Sequence, residues 1–325
     1  MKSFFKEFLR DEPPPAGAGP QVCLGAFGKH PGWDDHMDDL GLETESLLLA
    51  KHLLYVQGIG GQLNAGAWER LDATTRLPAV HHEFIWARER QVLVGRLWPS
   101  SDGKRRTLYP MAVCAHVFGL SPETCIASLL PLLDPIEARC RRAKSSEDVR
   151  AIILEAHGQY MASAGGGAAT EPGPLQGTLP EQFVKGALPL VLANVRRLLA
   201  PYWRGEFRER SKPATVTVRV PSVAGFGIGD LIFWNRFFSS LLDAEAPVLF
   251  LKPVAQPWLD VVLGEPATGD LFALRAAPPV VPVLGESGGQ PDENAQQEAV
   301  TLCEAILHPE PAAPPGRPWL KKIFG

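Results

Sequence analysis

Cysteine is scarce in this chain and scattered. There are five in 325 residues, Cys23, Cys114, Cys125, Cys140 and Cys303, with no C-x-x-C pair. Such spacing argues against a cysteine zinc site and a disulfide framework, and leaves the five as small core residues or inert thiols. Long apolar runs are also missing. The densest, around Ala187–Val195 and Val248–Leu251, fall well short of the roughly 18 to 20 residues that a membrane-crossing helix needs, so no transmembrane segment is expected. Neither charge sign dominates: 32 Lys+Arg stand against 36 Asp+Glu, a formal net charge of -4, with no long basic stripe. Nucleic acid is excluded on that ground as the main partner. The opening MKSFFKEFLR has no continuous apolar stretch and no small-residue cleavage site, which points to a cytoplasmic protein. No internal repeat of solenoid period is present.

What the chain does have is a 45% hydrophobic content, enough for a substantial core, and 31 glycines with 31 prolines gathered at a few joints. Those joints divide it into a flexible segment 1–20 carrying an aromatic peptide, an α+β region 21–163, a Gly/Pro-rich linker 164–178, and a second α+β region 179–276. A closing stretch 277–325 holds linker, helix and a Pro-rich tail ending in an aromatic-basic peptide.

Val22–Phe27 reads as a strand, and Leu42–Gln57 as a helix with Leu42, Leu49, Leu53 and Val56 on one face. His82–Ala87, Gln91–Trp98 and Leu108–Phe118 read as an antiparallel meander. Ser121-Pro122 and Ser145-Ser146-Glu147-Asp148 each announce a helix, the first by cap and proline, the second by a capping box. In the second half the pattern gives helices over about Glu181–Leu199 and Asp230–Asp243, and strands over Ala214–Val220, Val248–Leu251, Trp258–Leu263 and Asp270–Arg275. The expected class is α+β, with a mostly antiparallel mixed sheet flanked by helices and room for two subdomains.

Catalytic motifs are sparse. Gly25 to His30 follows a strand, yet two residues rather than four separate Gly25 from Gly28, and His30 stands where a phosphate loop needs a magnesium-binding hydroxyl. Nucleotide hydrolysis is not expected. His30, Asp34, Asp35 and His36 supply metal-ligand chemistry within seven residues, so a metal-dependent hydrolase is the alternative reading. His81, His82 and His116 are the other histidine candidates, two of them in predicted strands. No G-x-S-x-G elbow is present. Ser100, Ser101 and Asp102 sit in a polar loop, where backbone capping is their ordinary use. Eight tryptophans against four tyrosines point to core anchors, with some held at a contact surface.

Two segments carry a resemblance. Gly25-x-x-Gly28-Lys29-x-Pro31 with Asp35 following, and Pro99-Ser100-x-Asp102 leading through Arg105-Arg106 to Tyr109-Pro110, are together similar to the N-terminal signature of the TagF family associated with type VI secretion. Residues 21–120 hold most of the likeness. Phe233-Trp234 and Pro247-Val248-Leu249-Phe250 look like the family's later aromatic patches. Trp33-Asp34 and His36 depart from the family pattern. The resemblance implies a non-enzymatic cytoplasmic accessory protein, without cofactor, that restrains a contractile secretion apparatus by engaging a scaffold protein of forkhead-associated type.

Both signature loops should leave the same end of the sheet, so Lys29, Asp35, Asp102 and Arg106 are expected to form a polar cluster that serves shape rather than turnover. Phe4, Phe5 and Phe8 at one end, and Trp319, Leu320, Ile323 and Phe324 at the other, have the helical spacing of docking peptides.

Overall fold

The computed structural model describes residues 19–88, 91–165, 172–175, 179–203, 215–223, 227–243, 246–286 and 290–309. The proposed docking residues Phe4, Phe5, Phe8, Trp319, Leu320, Ile323 and Phe324 lie outside these, as does much of segment 164–178.

Seven strands form one antiparallel sheet: β1 (Gln21–Gly28), β2 (His82–Arg88), β3 (Gln91–Trp98), β4 (Met111–Phe118), β5 (Val216–Pro221), β6 (Val248–Pro253) and β7 (Trp258–Leu263), in the order β1-β4-β3-β2-β6-β7-β5. The fold is α+β. The meander β2-β3-β4 stands as the sequence predicts, and β1 pairs with β4 from Gln21 opposite Phe118 to Gly28 opposite Met111. The second half then adds to the same sheet through β2 and β6, from His82 opposite Pro253 to Ala87 opposite Val248. Strands on either side of segment 164–178 therefore belong to one sheet.

Every residue of β4 is buried, because helices cover both faces of the sheet. On one face Val22, Val94, Val113 and Val117 pack beneath α3 (Pro122–Ser128), α4 (Leu133–Arg142), α5 (Ser146–Gly165), α6 (Leu188–Trp203), α7 (Gly229–Leu241) and α8 (Glu293–Leu307). Phe183, Phe233, Trp234, Phe237, Phe238 and Phe250 form a chain of ring contacts there, at centroid separations between 5.1 and 6.2 Å. The later aromatic patches are thus core. On the other face Phe27, Phe84, Trp86 and Leu251 meet a single helical layer: α1 (Glu45–Ala50), a π-helical stretch Lys51–Ile59, and α2 (Gly60–Asn64).

Local chemistry sets the helix starts. Thr44 Oγ1 accepts the Leu47 N–H at 3.2 Å, Ser121 Oγ the Thr124 N–H at 3.1 Å, and Ser145 Oγ the Asp148 N–H at 3.1 Å, each satisfying an amide the first turn leaves free. Three expectations are corrected. The first helix begins at Glu45, not Leu42, and widens into π geometry at Lys51, which turns Val56 outward (48% exposed) and buries Leu54, Tyr55 and Ile59. Between the helices at Ser121 and Ser145 a further one, α4, intervenes. Asp270–Arg275 is no strand but a short 3-10 helix, Asp270–Leu274, because Asp270 accepts from Thr217 Oγ1 and the Ala267 N–H and starts a tight turn. The described residues contain no helix long and apolar enough to cross a membrane.

Candidate functional site

At the C-terminal end of β1 the chain turns sharply, and Gly28 makes the turn possible. Its φ of +116° is a region that side chains avoid, and a Cβ there would collide with the Pro110 carbonyl. With no side chain in the way, the Lys29 N–H donates to Pro110 O at 3.1 Å, the Met37 N–H to Gly28 O at 2.8 Å, and the Gly103 N–H to Trp33 O at 2.7 Å. The loop after β1 and the loop before β4 are thereby pinned together at the backbone.

The polar cluster expected from the sequence fills the seam. Lys29, only 3% exposed, donates from Nζ to Asp102 Oδ2 at 2.6 Å and Asp35 Oδ1 at 2.7 Å. Asp102, 1% exposed, also accepts from Arg106 Nε at 2.7 Å and from the Lys104 and Arg106 N–H groups at 3.0 Å each. Burial works to raise the Asp102 carboxyl, but the bonds from Lys29 and Arg106 outweigh it and hold the acid well below the usual carboxylate range. Arg106 bridges back across the seam from Nη2 to Asp34 O and Asp35 Oδ1, both at 3.0 Å. The Lys29 hydrogen bond is also the main reason that Asp35 is depressed.

A carboxylate so fully engaged is a brace and not a base. It fixes the loop 102–106, in which Arg105 is held at φ +63°, a conformation that costs a branched or long side chain strain. Outward from the brace the surface carries Arg106 at 49% side-chain exposure and Asp35 at 65%, and Leu108, two residues after Arg106, is 65% exposed. Lys104 and Arg105 are exposed and make no ion pair among the described residues. Pro31 is exposed, Pro99 offers its carbonyl to Arg141 Nη1 at 3.2 Å, and Ser100 is half-buried without a bond to the cluster. Gly25 lies within β1, packed against Leu42.

The metal alternative fares differently. His30 points inward: Nδ1 accepts the Gly32 N–H at 3.0 Å, so Nε2 carries the proton and donates to Cys140 O at 2.8 Å, and burial lowers its pKa. His36 faces the opposite way, toward Tyr55 and Tyr109. Among the described residues no three His, Cys, Asp or Glu side chains converge as metal ligands. His81 contacts Glu137 at 3.2 Å, His116 Nδ1 contacts Thr44 Oγ1 at 2.9 Å, and His82 is buried in the core. The thiols of Cys114 and Cys140 are pushed up to about 12, and that of Cys303 to about 11, all chiefly by burial. None is a nucleophile at neutral pH.

Sequence reasoning missed the cleft that opens beside the brace. It holds about 330 Å³ between the signature loops and the helical layer, where Lys51, Tyr55 and Val56 of the π-helical stretch and Asn64 of α2 line it with His36 and Tyr109. A five-residue step from Lys51 to Val56 follows the wide π turn, and an α-helical periodicity search does not register it. Tyr109 and Gly28 were legible as signature residues. Their partners on the helix carried no motif at all. No family model matches the chain, and neither does any curated protein.

Proposed function

We propose that this chain is a non-enzymatic accessory protein that works by binding another protein through the braced loops, and that it restrains a type VI-like contractile secretion system in the cytoplasm. The observation that carries the reading is the brace itself. Two loops far apart in sequence are locked by a buried Lys29–Asp102 pair while Arg105, Arg106, Leu108 and Asp35 are left at the surface. A solvent-facing arginine that is already held in place, as Arg106 is, suits a docking surface, since its ordering entropy is spent before the partner arrives. The same residues carry the TagF resemblance, which supplies the proposed partner, a scaffold protein of forkhead-associated type. The hydrolase alternative has no comparable support, because the histidine it needs most, His30, is tied to Gly32 and Cys140.

A two-component binding measurement tests the reading. The purified full chain is titrated against the forkhead-associated scaffold protein of the host's own secretion cluster, alongside Arg105→Ala/Arg106→Ala. Saturable binding that weakens at least tenfold in the variant is expected, with a melting temperature lowered by no more than about 2 °C, since the Arg106 pair is half exposed. A host with no such cluster, or no binding between the purified proteins, overturns the proposal.

A further inference from the structure

One face of α5 is apolar and uncovered among the described residues. Val149, Ile152, Ile153, Ala156, Tyr160 and Ala164 bury the helix against the sheet and α4. On its outward side Ala151, Leu154, Gly158, Met161 and Gly165 are all exposed, at the alternating steps of three and four residues that keep one side of a helix in line. Leu154 is 74% exposed and Met161 41%. Single apolar side chains at a surface are ordinary, but two on one stripe, with only alanine and glycine between and around them, make a continuous apolar track. A Cβ on Gly158 would meet no atom within 4 Å, so the track lies open between the two side chains.

The route of the chain says what can cover it. Gly32 lies close against the backbone of Ser145 and Ser146, and Arg150 Nη2 donates to Asp38, so the start of α5 sits beside the turn after β1. Further along, His157 Nε2 donates to Val22 O at 3.0 Å, beside the start of β1. The helix therefore runs antiparallel to β1, and its last turns lie toward the point where the chain enters that strand. Residues 1–18 join the structure there. The ten residues 10–19 between the aromatic peptide Phe4–Leu9 and Pro20 can span up to about 33–36 Å, and α5, 20 residues long, measures about 30 Å. Every part of the track is within reach, and a link this short gives an effective concentration in the millimolar range. The chemistry matches as well: Phe4, Phe5, Phe8 and Leu9 bring apolar surface, and the Met161 thioether favours ring edges. The C-terminal peptide leaves instead from α8, which packs on α6 and α7.

We propose that the outward track of α5 is the dock for the chain's own N-terminal peptide, with Phe4, Phe5 and Phe8 lying on Leu154 and Met161 of the same molecule. Any partner that seeks either the peptide or the track must then displace the other. The contact is separate from the braced loops, so its failure leaves the reading of that face untouched.

NMR of the full chain with methyl-labelled methionine reads the contact directly. Met37 and Met111, 4% and 0% exposed, serve as internal controls of the fold, and the Met161 signal is assigned by its disappearance in Met161→Leu. In the wild type the Met161 methyl should show cross-peaks to phenylalanine ring protons and a ring-current shift. Both should be lost in Phe4→Ser/Phe5→Ser/Phe8→Ser and in Leu154→Lys, while the Met37 and Met111 signals hold, and both should survive a tenfold dilution of the wild type. A Met161 methyl indifferent to either variant overturns the proposal. A contact that disappears on dilution also overturns it, since the occupant is then a second copy, as does a contact that survives the phenylalanine variant and is lost in Trp319→Ser/Phe324→Ser.

Discussion

Replacing Lys29 by methionine separates the brace from the surface that it supports. Lys29 is buried, and its ammonium lies 2.6 Å from Asp102 and 2.7 Å from Asp35. Methionine fills nearly the same volume without the charge, so the change removes an electrostatic partner and leaves little cavity. Breaking a buried pair by removing one member typically costs ~3–5 kcal/mol. Two things reduce that here. Asp102 keeps the Arg106 guanidinium and two backbone N–H donors, and Asp35 is well solvated, where a lost ion pair matters little. The expected loss is therefore about 2–3 kcal/mol. With an unfolding entropy near ~2.1 cal/mol/K per residue over 325 residues, that corresponds to a fall in melting temperature of roughly 3–4 °C.

Urea unfolding followed by circular dichroism is the assay, since a lower midpoint at unchanged slope reads stability alone. Arg106→Ala is the companion. Arg106 is half exposed, so its loss should cost under about 1 kcal/mol while removing a surface group that the docking reading needs. Lys29→Met unfolding at the wild-type midpoint, or Arg106→Ala proving the more destabilising of the two, would refute the division into buried support and exposed contact.

Gly28→Ala should cost at least about 2 kcal/mol, combining the strain of a positive φ with a clash on the Pro110 carbonyl; a variant within about 0.5 kcal/mol of wild type in the same urea titration defeats the account of the loop seam. His82 should weaken the fold in acid. Burial, with smaller contributions from His81 and Arg219, lowers its pKa from 6.5 to about 3. Below pH 6.5 the unfolded chain therefore takes up a proton that the folded one refuses, and stability falls from there down toward pH 3. At pH 5 the loss from this one group is about 2 kcal/mol by linkage. His82→Leu should reduce the drop in stability between pH 7 and pH 5 by that amount; the same drop in both proteins counts against it.

The legible part of the site is the part whose chemistry is local. Asp102 accepts the N–H of Lys104 and of Arg106, an arrangement that short-range side-chain preferences already favour, and Gly28 marks a backbone that no other residue could bend in this way. Lys29 and Asp35 then follow from a single inference, that two loops leaving neighbouring antiparallel strands at one end must meet. The pairing of β1 with β4, ending at Gly28 opposite Met111, makes that meeting a geometric consequence. Elements misjudged from the sequence are those where local preference and tertiary packing disagree. Val56 fits the apolar stripe of an α-helix, but the π turn from Lys51 rotates it into solvent and buries Tyr55 instead. Asp270–Arg275 has strand-like side chains, yet the Asp270 carboxylate is claimed by Thr217 and Ala267.

Deeper still, some groups have no local signature, because only the register of the sheet assembles them. Arg219 on β5 stands opposite Asp260 on β7, and the two form a wholly buried bidentate pair at 2.7 and 2.9 Å, with Trp258 stacked 4.9 Å from the guanidinium. Nothing in the sequence distinguishes that arginine from the others. The cleft is of this second kind, since Tyr55 reaches it from a helix, Tyr109 from a loop and His36 from the turn after β1. Lys29→Met and Tyr109→Ala therefore probe different supports of one loop: the first acts on the buried pair that fixes Arg106, the second on a ring packed against Tyr55 and the core beneath it. Both variants should lower the urea midpoint, the first through loss of charge pairing and the second through the cavity that a large-to-small change leaves; a Tyr109→Ala protein that unfolds at the wild-type midpoint would show that the ring takes no part in the packing.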